Sequence, residues 1–318
     1  MSRWAAPASA AAADTVFGFR ALGGPCSIQL PADLVTPAAH QAVQVAIAEV
    51  RRIEHKFSRY RPESWLSRLN AAAGDGRWHE ADQETADLLD FAQQAFQASG
   101  GLFDISTGVL GQAWDFQRGT VPTAAELAPL RARVGWQRVQ WQRPRLRLPE
   151  AGMALDFGGF GKEYAADRAA TLMAEAGVTA ALVNLGGDMR LLGPRPDGRP
   201  WVLGIAHPRQ AGAVLARVEL HAGALATSGD YERFFERDGQ RYCHVLDPRT
   251  GWPVQHWRSV SVLAPGCLAA GVLSTIAMLS GEQAPAFLQA QGVDFLCVDQ
   301  HGRCTDETGP WPGPPAGA

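Results

Sequence analysis

The segment that most restricts how this chain folds is the glycine-rich stretch Leu155-Asp-Phe-Gly-Gly-Phe-Gly-Lys-Glu-Tyr-Ala-Ala-Asp167. A short apolar run precedes the glycines and a helical pattern follows them, which predicts a strand, a tight turn and a helix. Glycines let backbone N–H groups approach an anion, and the positive end of the helix dipole attracts it. Lys162 adds a mobile positive charge. Two interpretations remain open at this point: a phosphate site, or an ordinary connection between a strand and a helix.

Two well-known phosphate motifs do not match this stretch. A Walker A loop needs glycine five residues before its final Gly-Lys pair and Ser or Thr after it, but those positions are Asp156 and Glu163. The spacing of Gly158, Gly159 and Gly161 does not fit the Rossmann fingerprint. Any ligand held here is bound by a different arrangement.

Composition indicates a globular protein that does not bind nucleic acid. The chain has 318 residues, of which 46% are apolar and 19% charged, with a formal net charge of −3. That charge provides no basic field for a polyanion. We predict a disordered N-terminal segment (1–15), a single large domain (16–306) with the option of two closely packed lobes, and a disordered tail (307–318).

The cysteines and the N-terminus bear on location. The five cysteines form no C-x-x-C pair, and an odd number argues against a closed disulfide framework. The N-terminal alanine run lacks the leucine-rich core of a secretory signal and is too weak to span a membrane. We therefore expect a cytoplasmic location and no stable membrane span, with a periplasmic location open if a leader is missing.

Hydrophobic periodicity predicts an α+β fold with mixed, largely antiparallel sheets and packed helices. Helical spacing of apolar residues begins after Thr36-Pro37, and further helices are predicted at 83–97, 162–176, 268–280 and 284–291. The second half also contains short strand patterns, at 181–184, 201–205, 214–220, 242–246, 259–263 and 295–298.

Three polar, glycine-containing turns follow apolar strands in the second half. They are Asn184-Leu-Gly-Gly-Asp188, Thr227-Ser-Gly-Asp-Tyr-Glu-Arg233 and His244-Val-Leu-Asp-Pro-Arg-Thr-Gly251. Each is typical of a hairpin when considered alone. Together they give repeated places where backbone groups meet one ligand.

The ordered set of motifs resembles the ApbE family, the FAD:protein FMN transferases. The resemblance spans roughly residues 20 to 300, and seven matching segments occur in the family's order. These are Ser58-Arg-Tyr-Arg-Pro-Glu-Ser64 with Ser67-Arg-Leu-Asn70, Gly101-Leu-Phe-Asp-Ile-Ser106, 155–167, 183–188, 227–233, 244–254 and Leu273-Ser-Thr275.

The resemblance implies an enzyme that moves the FMN half of FAD onto a Thr or Ser hydroxyl of an acceptor flavoprotein, releasing AMP and using Mg²⁺. In-line attack on a pyrophosphate needs neutralisation of charge on the phosphoryl oxygens, which a metal ion and a lysine can supply. Two alternatives stay open: an FAD pyrophosphatase that gives FMN and AMP, and an FAD-binding protein that has lost its metal.

The resemblance also implies roles for individual residues. His244 and Lys162 are the predicted catalytic residues, although Asp188, Asp230 and His244 all remain open as the group that takes the hydroxyl proton. The predicted FAD contacts are Tyr60, Leu102, Phe103, Asp104, Asp156, Lys162, Gly186, Gly187, Asp188, Ser228 and His244.

The predicted metal site departs from the family pattern. The resemblance implies a backbone carbonyl at about Gly159, the hydroxyl of Thr275, and a carboxylate four residues before that threonine, where this chain has Gly271. The family commonly has Lys-Gly where this chain has Lys162-Glu163. One hypothesis is that Glu163 replaces the missing carboxylate; the other is that Glu163 is merely a favourable first-turn residue.

Overall fold

The computed structural model describes residues 4–5 and 14–311 of the chain. Its helices are α1 (Pro37–Phe57), α2 (Trp65–Ala71), α3 (Gln83–Ala98), α4 (Ala124–Arg131), α5 (Gly161–Glu175), α6 (Cys267–Ser280) and α7 (Ala284–Ala290). Its strands are β1 (Trp4–Ala5), β2 (Thr15–Ala21), β3 (Gly24–Leu30), β4 (His79–Glu80), β5 (Gln140–Gln142), β6 (Arg145–Arg147), β7 (Ala181–Leu185), β8 (Asp188–Leu192), β9 (Trp201–Ala206), β10 (Val214–Leu220), β11 (Gly223–Gly229), β12 (Phe234–Arg237), β13 (Gln240–Cys243), β14 (Trp257–Ala264), β15 (Asp294–Asp299), β16 (Cys304–Asp306) and β17 (Gly309–Trp311).

The chain divides into two compact units, each made of separate stretches of sequence. The first unit comprises the described parts of Met1–Glu54, Phe160–Gly229 and His256–Ala318. The second comprises His55–Gly159 and Asp230–Gln255. The glycine-rich segment crosses this division, because Gly159 ends a stretch of the second unit and Phe160 begins a stretch of the first.

An antiparallel nine-stranded sheet forms the centre of the first unit, in the order β17-β16-β15-β14-β11-β8-β7-β3-β2. Both faces of its central strands are buried. Leu182, Leu225 and Leu263 join residues of β9 and β10 in one apolar cluster, while α5 and α6 pack against β7, β8, β11 and β14. Their neighbours Val183 and Ala226 are also fully buried, as expected where successive side chains point to opposite, covered faces.

The second unit has small sheets and helices of its own. Strands β4, β6 and β5 form a three-stranded antiparallel sheet, and β12 and β13 form a hairpin. Trp114 lies at the centre of an aromatic cluster, with ring centroids 5.7 Å from Tyr242 and 5.2 Å from Trp252. Its indole N–H donates to the carbonyl of Gly251 at 2.8 Å, so the buried polar atom is satisfied.

The predicted α+β class with largely antiparallel sheets is confirmed. The strand predicted at 214–220 has those bounds, and the helix predicted at 162–176 runs from Gly161 to Glu175. Gly177 follows that helix with φ +85°, the left-handed conformation in which glycine ends a helix. The strand predicted at 242–246 is wrong in its end, because β13 stops at Cys243 and leaves His244 outside it.

The predicted disordered ends fall largely on residues 1–3, 6–13 and 312–318, which lie outside the described residues. Within the described part of those segments, β1 pairs with β10 and β17 pairs with β16. Residues 309–311, predicted to belong to the tail, therefore form a strand.

One helical stretch among the described residues, 267–290, is long and apolar enough to cross a membrane by length and composition. In this fold 56% of its apolar window is buried, and α6 covers β11 and β14. A core helix of a soluble domain passes the same test. The expectation of no stable membrane span stays a prediction.

Asp82 is expected to make the second unit sensitive to acid. Partial burial opposes ionisation, but hydrogen bonds from Lys56 and Thr85 outweigh it and lower the pKa of Asp82 to about 2. A lowered carboxyl pKa contributes stability above the ordinary value near 4, and that stability is lost as pH falls towards 2. Because the group is largely exposed, we expect Asp82→Asn to cost about 1 kcal/mol at pH 7 and almost nothing at pH 2. Urea unfolding at both pH values measures this, and an equal cost at both would contradict it.

Candidate functional site

Two hydrogen bonds of Asp156 hold the first half of the glycine-rich segment in place within the second unit. The N–H of Asp156 donates to the carbonyl of Ile105 at 2.7 Å, and one carboxylate oxygen of Asp156 accepts from the N–H of Gly158 at 2.8 Å. Such a bond from an Asp side chain to the chain two residues on fixes a tight turn. Asp156 thus shapes the turn that a phosphate site at this segment would need.

Arg59 connects two of the predicted FAD contacts in the second unit. One guanidinium nitrogen lies 3.3 Å from the second carboxylate oxygen of Asp156, and another donates to the Tyr60 hydroxyl at 3.0 Å. The guanidinium also lies 4.9 Å from the centre of the Tyr60 ring, which is 70% exposed. An exposed aromatic ring held by a cation offers a face on which a planar ring system can stack.

The residues around Asp104 have structural partners. Its carboxylate accepts from the N–H and hydroxyl of Ser106, at 2.8 and 2.6 Å, and from the N–H of Trp136 at 3.0 Å. Phe103 is buried, Leu102 is partly buried, and both precede it directly. Since both oxygens of Asp104 already accept from the protein, the geometry favours a role in holding this loop. Direct contact with FAD stays a prediction for all three residues.

His244 lies just after β13, with its side chain exposed. Its backbone N–H donates to the carbonyl of Arg233 at 3.0 Å, which extends the pairing of the β12-β13 hairpin by one residue. The sequence pattern placed the imidazole within an apolar strand. The structure instead leaves it at the end of the hairpin, where it is accessible to a ligand.

Lys162 and Asp188 form an ion pair in the first unit. The ammonium nitrogen lies 2.5 Å from a carboxylate oxygen of Asp188, which is 2% exposed. The other oxygen accepts from the N–H of Thr227 at 3.1 Å. Because Asp188 is buried and held from β11, it fixes where the lysine ammonium lies.

The Gly186-Gly187 turn closes the β7-β8 hairpin beside this lysine. The two glycines have φ +62° and +99°, a pair of left-handed values typical of a two-residue hairpin turn. A Cβ on Gly186 would lie 3.6 Å from the side chain of Lys162. The predicted FAD contacts Lys162, Gly186, Gly187 and Asp188 are therefore neighbours.

Glu163 is buried in the first turn of α5, with 7% of its surface exposed. Burial and the neighbouring carboxylate of Asp188 raise the pKa of Glu163 to about 8, although the positive charge of Lys162 acts in the opposite direction. Its Oε2 has no hydrogen-bond partner among the described residues. An unsatisfied carboxylate oxygen in a protein interior is costly, which marks this position as one that accommodates a proton or a cation.

Three hydroxyls on β11 and α6 form a directed chain. Ser274 donates to the carbonyl of Gly271 at 2.9 Å, so its oxygen is left to accept from Ser228 at 2.8 Å. With its proton so used, the Ser228 oxygen accepts from Thr275 at 3.0 Å. The Thr275 hydroxyl has then donated its proton, and its lone pairs are not used by these bonds.

The first unit offers few charged side chains to a magnesium ion, so most of its remaining ligands would be water or backbone oxygens. The described part of the chain contains no group of three or more His, Cys, Asp or Glu side chains suited to a metal. It does contain the unsatisfied Oε2 of Glu163 and the accepting oxygen of Thr275, both in the first unit. Carboxylate and hydroxyl oxygens are ligands that Mg²⁺ accepts alongside water. Gly159 belongs to the second unit, and its carbonyl as a ligand stays a prediction.

Sequence reasoning missed two residues that organise these groups. Arg59 lies within the matching segment 58–64, and its position directly before Tyr60 was the available signal. Asp167 accepts from the N–H groups of Cys267 and Leu268 at 2.8 and 2.9 Å, and so caps the start of α6. No local pattern indicates a cap supplied by a residue a hundred positions away.

Comparisons with known proteins agree with the motif-based resemblance. A sequence model of the ApbE family matches residues 22–297. The FAD:protein FMN transferase of Klebsiella pneumoniae is 30% identical over 308 residues, covering 93% of this chain and 87% of that protein. The Salmonella typhimurium enzyme of that name is 32% identical over 259 residues, covering 77% of this chain and 73% of that protein.

Solved structures give the same result for the fold. The ApbE protein of Thermotoga maritima has a TM-score of 0.85 and 30% identity, covering 92% of this chain and 97% of that one. The flavinyl transferase ApbE of Pseudomonas stutzeri has a TM-score of 0.79 and 30% identity, covering 92% of this chain and 95% of that one.

Proposed function

Since the chain belongs to the ApbE family, we propose that it is an FAD:protein FMN transferase that moves the FMN half of FAD onto a Thr or Ser hydroxyl of an acceptor flavoprotein. The observation that carries this is the buried Asp188, which holds the Lys162 ammonium beside the Gly186-Gly187 turn. An anchored cation next to a glycine turn and a helix start is suited to a pyrophosphate.

The chemistry sets what the residues must do. The acceptor hydroxyl oxygen forms a bond to the phosphorus that carries FMN, the bond from that phosphorus to the AMP oxygen breaks, and the hydroxyl proton leaves. Negative charge accumulates on the phosphoryl and leaving oxygens during this displacement. Lys162 stabilises that charge, and its pairing with Asp188 means that no reorganisation is needed when the charge develops.

The second unit supplies the proposed contacts to the ring systems of FAD. The exposed Tyr60 ring, oriented by Arg59, offers a stacking surface, and Leu102 and Phe103 belong to the loop that Asp104 holds. His244, exposed at the end of β13, is the proposed acceptor of the hydroxyl proton.

Magnesium is the proposed metal. When bound, it would neutralise charge on the pyrophosphate oxygens. The residues of the first unit that would hold it are the hydroxyl of Thr275 and one buried carboxylate.

Incubation with FAD, Mg²⁺ and an acceptor protein that carries the threonine tests the activity. We expect an increase in the intact mass of the acceptor equal to one FMN, together with release of AMP. An acceptor whose threonine is replaced by valine is the matched control and should gain no mass. Release of AMP without any mass gain would overturn the transferase in favour of hydrolysis.

A further inference from the structure

The side chain of Glu163 fills the space that a side chain at position 271 would need. We propose that Glu163, from the first turn of α5, supplies the carboxylate ligand of a divalent cation, with the Thr275 hydroxyl as a second ligand, and that Gly271 lacks a side chain because this carboxylate lies there. This rests on the proposed function and names the group that holds the metal at the same site.

The steric evidence is direct. A Cβ added to Gly271 would lie 2.4 Å from Cγ and 2.8 Å from Cδ and Oε1 of Glu163. The optimal separation of two non-bonded carbon atoms is about 3.5–4.0 Å, and real Cβ atoms essentially never approach another heavy atom below 3.0 Å. Glu163 and any side chain at position 271 therefore exclude each other in this conformation.

The packing of α5 against α6 explains why the two positions meet. Asp167 caps the N-terminus of α6 at Cys267, and Glu163, one turn earlier on α5, lies against Gly271, one turn later on α6. Contacts that advance by four residues in opposite directions are those of an antiparallel helix pair. The cap at Asp167 thus fixes the register that brings the Glu163 carboxylate to position 271.

The charges near Glu163 leave room for a cation. The carboxylates of Glu163 and Asp188 are both buried, and Lys162 supplies one positive charge, held 2.5 Å from Asp188. The carboxyl groups of Glu163 and Asp188 are near enough to share one hydrogen bond when a proton is present, and the Oε2 atom of Glu163 has no other partner among the described residues. A divalent cation would satisfy that oxygen and offset the remaining negative charge, whereas in its absence a proton shared between the carboxyl groups is the other way to reduce their repulsion.

The hydroxyl chain prepares the second ligand. Thr275 lies one helical turn after Gly271, so both positions are on one face of α6. A hydroxyl that binds a cation must direct its lone pair at the ion and its proton elsewhere. The donation from Thr275 to Ser228 does this, because Ser274 has already committed its own proton to the carbonyl of Gly271.

Manganese binding tests the proposal without relying on turnover. We titrate the full-length protein with Mn²⁺ alone, with and without saturating FAD, and follow the loss of the free-ion signal by electron paramagnetic resonance. Glu163→Gln keeps the size of the side chain and is expected to weaken Mn²⁺ binding at least tenfold, since even outer residues of metal sites are worth about 10–100-fold. Glu175→Gln, an exposed change of the same kind on the same helix, should leave the affinity unchanged.

Returning the carboxylate to α6 gives a second, independent test. The double variant Glu163→Gly with Gly271→Asp moves the carboxylate from α5 to α6, and we expect it to recover Mn²⁺ affinity to within about tenfold of the original. A thermal melt confirms that each variant is folded. Three results would each overturn the proposal: no Mn²⁺ binding by the original protein in either condition, unchanged affinity in Glu163→Gln, or a folded double variant that binds no better than Glu163→Gln.

This experiment separates the proposal from the function on which it rests. If FMN is transferred to the acceptor but Mn²⁺ affinity does not depend on Glu163, Glu163 is not a metal ligand and the transferase function stands. If Mn²⁺ affinity depends on Glu163 but no FMN is transferred, Glu163 is a metal ligand and the transferase function is rejected.

Discussion

Replacing Lys162 with methionine is expected to lower the rate of FMN transfer by about 10²–10³-fold, the usual effect of removing one preorganised group that stabilises developing negative charge. Methionine keeps most of the aliphatic length and removes the ammonium that Asp188 holds at 2.5 Å. The measurement is the initial rate of mass gain by the acceptor at saturating FAD.

The chain offers a matched control for this change. Lys56 and Lys162 are the only two lysines in the sequence. Lys56 forms ion pairs with Asp82 and Glu84, at 2.6 Å each, within the second unit. Lys56→Met should therefore reduce stability without a comparable loss of transfer rate. A rate for Lys162→Met within a factor of three of the original would show that its charge does not act in the reaction.

The same pair of lysines allows a direct reading of ligand contact. Acetylation with an amine-reactive reagent such as acetic anhydride, followed by peptide mass spectrometry, reports on each lysine separately. FAD should slow modification of Lys162 and leave Lys56 unaffected. Equal protection of both would indicate a general change in accessibility and not a contact at Lys162.

Gly271→Ala is expected to destabilise the protein by about 1–3 kcal/mol, the range for an extra methyl group in a well-packed core. This reverses the usual sign, since alanine in place of glycine inside a helix ordinarily stabilises by about 1 kcal/mol. The reversal comes from the 2.4 Å approach of the new Cβ to Cγ of Glu163. The free energy of unfolding in urea, at one fixed pH and without metal, measures it.

A double-mutant cycle isolates the cause. In a Glu163→Ala background the obstructing atoms are gone, so Gly271→Ala should become neutral or stabilising by up to about 1 kcal/mol. Gly18→Ala, where an added Cβ meets nothing within 4 Å, is the control for a glycine substitution without a clash. If Gly271→Ala costs the same in both backgrounds, Glu163 is not what keeps position 271 a glycine.

Local patterns predicted the elements well because periodicity and end signals act within a few residues. The bounds of β10 matched, α5 shifted by one residue at each end, and Gly177 ended the helix as expected. The glycine-rich segment and the Asn184-Leu-Gly-Gly-Asp188 turn also supplied, from sequence alone, the residues that surround Lys162.

The features of the candidate site that the sequence did not predict depend on contacts between distant parts of the chain, which hydrophobic periodicity does not encode. Sequence suggested that Glu163 compensates for Gly271, but the mutual exclusion of their side chains follows only from the register of α5 and α6. The direction of the hydroxyl chain from Thr275 through Ser228 likewise requires β11 and α6 to be in contact. The motif around Asp104 indicated a contact with FAD, and its three hydrogen bonds to Ser106 and Trp136 are visible only in the structure.

The order of strands in the nine-stranded sheet has a consequence for how the protein is made. The β2-β3 hairpin is complete by residue 30, yet its neighbour β7 begins at Ala181, and β14 begins only at Trp257. A growing chain must therefore hold its first strands without their partner while almost half of the sequence is synthesised. Non-local pairing of this kind folds slowly and leaves strand edges open to wrong partners in the meantime. Yield of active protein should consequently respond more to chaperones and synthesis rate than the stability of the finished fold suggests.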